Sequence, residues 1–166
     1  LIKEHPKSEL LPESYLALGE FYFDKHKIVE AKDYYIKAAR YKEHKNYPFV
    51  VYKLGWAYYN SPASNPEEDT QNKKHTVVAF KLVVKLASQE DALPNHIYLR
   101  QEAINDLIIV WAETEDIESA WTYFRSIGSA DSFYVMLEKL GSIYTEQGEI
   151  EKAIAVYSRI LKESPN

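Results

Sequence analysis

The reactive side chains of this 166-residue chain are spread too thinly for catalysis. Its five histidines, His5, His26, His44, His75 and His96, each fall in or beside a polar stretch that reads as a loop. None has the His-x-x-x-His spacing with an acid partner that puts two imidazoles on one helix face for zinc. Glu67, Glu68 and Asp69 lack the alternating ligands and the glycine of a calcium loop, so the run reads as solvated. The five glycines are isolated, which excludes a glycine-rich phosphate cradle. No strained strand-to-helix elbow presents a serine nucleophile. With zero cysteines, disulfides and thiolate sites are excluded and the redox compartment stays open. No catalytic residue, cofactor or metal site is expected.

What remains is the chemistry of binding. Fourteen tyrosines and 46% hydrophobic residues supply a core with rings to spare. The net charge of −5, with both signs interspersed, offers no basic stripe for nucleic acid. No apolar run reaches the roughly 18–20 residues of a membrane span.

The elements that hold these residues repeat. Tyr15-Leu18-Gly19-Tyr22, followed by Ala31-Tyr35-Ala38, returns as Leu137-Leu140-Gly141-Tyr144, followed by Ala153-Tyr157-Ile160. Both copies place the alanine twelve residues after the glycine. A period in the thirties built of two helical patterns is a helical-hairpin repeat. A small residue at the crossing lets the second helix approach, and the flanking apolar residues fill the seam. A further copy has Val51, Leu54, Gly55 and Tyr58 in its first helix, with Thr76-Phe80-Val83 as the best match for its second. A degenerate copy reads Ile104-Leu107-Ile108-Trp111, then Ala120-Phe124-Ile127, and there Ile108 in place of glycine is expected to hold the two helices further apart. The Gly55-to-Thr76 gap is nine residues longer than the others, and residues 61–74 are rich in Pro, Ser, Asn and acids. That stretch is expected to be a long polar surface loop.

These residues resemble the tetratricopeptide repeat, about 34 residues long. The resemblance implies an all-α, right-handed superhelix, an α-solenoid of about four hairpins. It divides the chain into residues 1–7 as the end of a preceding repeat, 8–45 as unit one, 46–90 as unit two with its insertion at 61–74, 91–129 as a degenerate unit three, and 130–166 as unit four. Leu1 to Pro6 also matches Ile160 to Pro165 position for position, so the chain reads as a segment of a longer array. Uncapped ends of a solenoid expose apolar seam residues, and self-association through Ile154, Ile160, Leu161 or Leu1–His5 is expected.

The family's first helices line the concave side, and its inner motif positions bring forward Phe23 in unit one and Tyr52, Lys53, Trp56, Tyr59 and Asn60 in unit two. Unit three contributes Asn105. Aromatic anchors in a groove are the usual hot spots of peptide recognition. The resemblance therefore implies a non-catalytic scaffold that binds a protein or peptide partner on its concave face. The Lys, Arg and Asn clamp that holds acidic chaperone tails is absent, with Leu16 and Glu20 at its places in unit one. Pro6-Lys7-Ser8 with Leu11 to Gly19, and Tyr52 to Asn60, is similar to bacterial envelope-associated arrays of the outer-membrane assembly and gliding-motility type. That similarity implies a periplasmic or outer-membrane-associated protein. The alternatives are a cytoplasmic adaptor, or the sensor or specificity domain of a larger enzyme.

Overall fold

The computed structural model describes residues 8–88 and 94–163. The expected end of a preceding repeat at residues 1–7, His5 included, lies outside them. Within them the fold is all-α, with eight helices and no strand: α1 (Leu11–Asp24), α2 (Ile28–Ala38), α3 (Tyr47–Tyr59), α4 (Pro66–Leu86), α5 (Pro94–Thr114), α6 (Ile117–Ile127), α7 (Ala130–Glu146) and α8 (Ile150–Glu163). The chain forms two compact units, Leu1–Ile104 and Asn105–Asn166, with the division inside α5.

In the first unit, α1 pairs with α2 and α3 pairs with α4, while α3 also lies on α2. The reason these helices pack is visible at the two glycines. A Cβ built at Gly19 would lie 2.5 Å from the Tyr35 ring, and one at Gly55 would lie 2.7 Å from the Phe80 ring. Each ring of a second helix thus rests directly on the backbone of the first. Tyr35 and Phe80 are both fully buried. Thr76, at the place of Ala31, is also buried, and its hydroxyl donates to the carbonyls of Gly55 at 3.1 Å and Asn72 at 3.0 Å. The seam of the second hairpin is therefore the expected Thr76-Phe80-Val83 face.

The second unit repeats the device in α7 and α8, where a Cβ at Gly141 would meet the Tyr157 ring at 2.7 Å. At Ile108 the side chain fills the place a ring would take. Phe124, the matching ring, packs instead on Trp111, with centroids 5.2 Å apart, and Tyr123 stacks on the same indole. Ile108, Trp111 and Phe124 are all buried, so this seam is set by side chain on side chain.

The expected loop at 61–74 needs correction. Only residues 60–65 connect the helices, and α4 begins at Pro66. Asn65 is the N-cap: its Oδ1 accepts the Glu68 amide at 2.9 Å, and the Glu68 carboxylate accepts the Ser64 amide at 2.7 Å. Two donors that a helix start leaves unpaired are thereby satisfied. Proline at the first helical position costs no hydrogen bond, and three acids in the first turn face the positive end of the dipole. Asp69 and Lys73, one turn apart, pair at 3.0 Å. The hydrogen bond from the Ser64 amide holds the Glu68 carboxyl below the usual carboxylate range.

Candidate binding site

The pocket in the first unit is built where α1 ends and α3 passes it. α1 stops with His26 in the left-handed region at φ 57°, its amide donating to the Phe23 carbonyl and the next amide, of Lys27, to that of Tyr22, both at 2.9 Å. This closing turn brings His26 and Ile28 beside Phe23. On α3, Tyr52, Trp56 and Asn60 fall one turn apart and Lys53 sits next to them. Together Phe23, His26, Ile28, Tyr52, Lys53, Trp56 and Asn60 line a cavity of about 450 Å³. The buried Phe80 ring supports it: its centroid lies 5.5 Å from that of Tyr52 and 5.6 Å from that of Trp56.

Five of the seven sequence-derived binding residues meet there. Tyr59 does not line the cavity but lies edge-on against Trp56 at 5.6 Å. Asn105 belongs to the second unit, where the Lys139 ammonium donates to its Oδ1 at 3.0 Å. His26 and Ile28 were not foreseen, because their place depends on the geometry of the turn rather than on helical spacing.

Charge in the pocket is internally balanced. Lys53 Nζ lies 3.2 Å from Glu20 Oε2, 5.0 Å from the centroid of Phe23 and 5.8 Å from that of Phe49. The other oxygen of Glu20 accepts a short hydrogen bond from the Tyr35 hydroxyl. Burial, and then the hydrogen bond and charge of Glu20, push the Tyr35 hydroxyl well above the usual phenol range. Three helices are so joined through one carboxylate. Asn60, at the rim, donates its amide to the Trp56 carbonyl at 2.8 Å, which leaves its side-chain oxygen for a ligand amide. Trp56, Tyr52 and Phe23 are each partly buried, packed on one side and open on the other.

A larger cleft of about 740 Å³ lies at the turn between α2 and α3, lined by Glu9, Pro12, Arg40, Tyr41, Lys42, Glu43 and His44. Its charges alternate in sign, and Glu13 approaches both His44 at 3.7 Å and Lys45 at 3.8 Å. Such a surface is well solvated and offers no apolar anchor point. Among the described residues no group of three His, Asp or Glu is placed to hold a metal ion, and no helix is long and apolar enough to cross a membrane.

Glycine against a buried ring, twice in the first unit and again in the last hairpin, is the seam of a known helical repeat. Two family models, both of the tetratricopeptide repeat, match residues 12–45 and 136–166. The chain is a tetratricopeptide repeat protein. The matched segments are α1/α2 and α7/α8, the two hairpins whose glycine, alanine and tyrosine agree in spacing. No curated protein matches the chain in sequence. Tetratricopeptide repeats in general mediate protein–protein interaction, and the pocket is where this one has rings to offer.

Proposed function

We propose that this tetratricopeptide chain is a non-catalytic scaffold that holds a partner polypeptide by an apolar side chain seated against Phe23, Tyr52 and Trp56. The observation that carries this reading is the pocket itself: ring faces stand open beside one cation already matched by Glu20. A neutral apolar anchor enters such a site without displacing an ion pair, whereas a free carboxylate would have to compete with Glu20 for Lys53. The volume suits one large side chain with the backbone that carries it. Asn60 and His26 at the rim supply polar contacts to that backbone. We place this scaffold in a bacterial cell-envelope assembly, on the similarity of Pro6 to Gly19 and of Tyr52 to Asn60 to envelope-associated arrays.

The test is selection of binders from a displayed library of random peptides, with Trp56→Ala as the counter-screen. The selected peptides are expected to carry an aromatic or large aliphatic anchor and to lose about 30-fold in affinity, or about 2 kcal/mol, on the variant. Melting of the same variant separates binding from packing, since removal of a fully packed core ring costs about 3–5 kcal/mol. Unchanged affinity with a loss of stability of that size would make Trp56 a packing residue and move the interface elsewhere. Fractionation of cells expressing the full-length gene tests the compartment, and a cytoplasmic product would remove the envelope assignment.

A further inference from the structure

The chain meets one kind of interface twice and leaves both halves of it bare once. On α2, the face beside α3 is closed: Ala57 packs with Ala31 and Tyr35, all fully buried. On α6, the face beside α7 is closed as well. Trp121 is 2% exposed, with the Phe133 ring edge-on to it at 5.2 Å. The matching positions on α8, counted from Ala153 as the others are from Ala31 and Ala120, are Ile154 for Trp121 and Tyr157 for Tyr35. These are 59% and 37% exposed. With Ile150 and Leu161, also exposed, they form one stripe at intervals of four, three and four residues.

The complementary half is on α1. Phe21 follows Gly19 by two residues, as Ala57 follows Gly55. Ala57 is sealed against α2, but Phe21 is 55% exposed, and Leu10, three turns earlier on the same face, is 55% exposed too. Apolar stripes on otherwise polar helices mark interaction surfaces.

We propose that a second copy of this chain occupies the α8 stripe, presenting its α1, so that the pair repeats between copies the α3-on-α2 packing found within one. The ligand for Ile154 and Leu161 is then the Phe21 and Leu10 face of the partner copy. Because the two surfaces differ, the contact is heterologous. Each bound copy leaves one face of either kind free, and assembly continues past the dimer. The proposal is independent of the pocket, whose residues take no part in it.

Sedimentation velocity on the 166-residue chain between about 1 and 100 µM tests it. The wild-type chain is expected to move to species beyond the dimer as concentration rises. Ile154→Glu, Leu161→Glu and Phe21→Glu alter exposed side chains, so the helical fold is kept, and each alone is expected to be monomeric with at least a 30-fold weaker association. The deciding experiment mixes Ile154→Glu with Phe21→Glu. One keeps its α1 face and the other its α8 face, so the mixture should stop at a dimer of one copy of each. A wild-type monomer over the whole range would overturn the proposal. So would dimerisation of Phe21→Glu alone, which would show α8 pairing with α8.

Discussion

In α1/α2 the ring that lies on the crossing glycine is fully sealed from solvent, whereas in α7/α8 the matching ring of Tyr157 is 37% exposed. The local pattern is the same in both hairpins: glycine, then alanine twelve residues on, then tyrosine four further. The polar ends of the two rings differ as well. Tyr35 donates to Glu20, which is held in turn by Lys53 on α3, while the Tyr157 hydroxyl reaches only the Glu138 carbonyl at 3.5 Å. What separates the two is the helix that follows. α3 closes over Tyr35, and no described helix does so for Tyr157. In a repeat protein the hairpin motif fixes the seam, and its neighbour decides how much that seam is worth.

The comparison breaks most visibly if the rings are removed. Tyr35→Ala deletes a fully buried side chain and is expected to cost about 3–5 kcal/mol, against about 1–2 kcal/mol for Tyr157→Ala, by denaturant unfolding. Equal losses would mean that α3 adds nothing to the first hairpin.

A smaller effect is expected at the glycines. Gly19→Ala forces a methyl to within 2.5 Å of a ring that has no room to move, and should destabilise by about 1–3 kcal/mol. Gly141→Ala pushes on a ring with an open side. The gain in helix propensity, up to about 1 kcal/mol, then offsets most of the strain, and little net change is expected in melting temperature.

Alkaline titration sharpens the comparison further. The Tyr35 hydroxyl has its pKa raised in the folded chain, so the neutral form is favoured there. That contribution is complete below about pH 10, the unfolded value, and is lost as pH rises above it. Unfolding of the first unit, followed by amide exchange in α2, should ease by about tenfold per pH unit over this range. Tyr35→Phe should remove that slope, and a slope that survives would assign it to another tyrosine.

The smallest effect is at the two hairpin turns. His26 at φ 57° and Gly148 at φ 77° hold the same place after α1 and α7. In both, the following amide reaches back to a tyrosine carbonyl, Lys27 to Tyr22 and Glu149 to Tyr144. Glycine adopts this conformation without strain and histidine does not. His26→Gly should therefore stabilise by about 0.5 kcal/mol and Gly148→Ala destabilise by about 1 kcal/mol, read from melting temperatures. Because His26 also lines the pocket, its variant tells whether the imidazole contributes to peptide affinity.

Most of the helices could be read from the sequence, because apolar spacing and the Gly-to-Ala interval report the seam directly. Ile117–Ile127 and the start of α3 at Tyr47 agree with that reading residue for residue. The front of α4 was misread for a physical reason. A run of Pro and acids is what a loop looks like by composition and what a helix N-terminus looks like by position. The Asn65 cap, with proline just after it and Glu68 three residues on, was the signal that separates them. The binding residues on α3 were legible through spacing, since Tyr52, Trp56 and Asn60 share a face. The balance of charge was not. The pairing of Lys53 with Glu20 depends on how near α1 comes to α3, which no local pattern encodes.

The nine extra residues of α4 carry a lesson about indels. Set within a helix, nine residues would turn everything beyond them by about 900°, half a turn out of phase, and would swing Thr76, Phe80 and Val83 away from Gly55. Set at the start of a second helix, they leave that phase untouched, because the packed end is anchored and the helix simply grows outward from it. The chain can therefore change length at this point by any number of residues, in step with the helix or out of it. The sole requirement is that whatever comes first be able to cap.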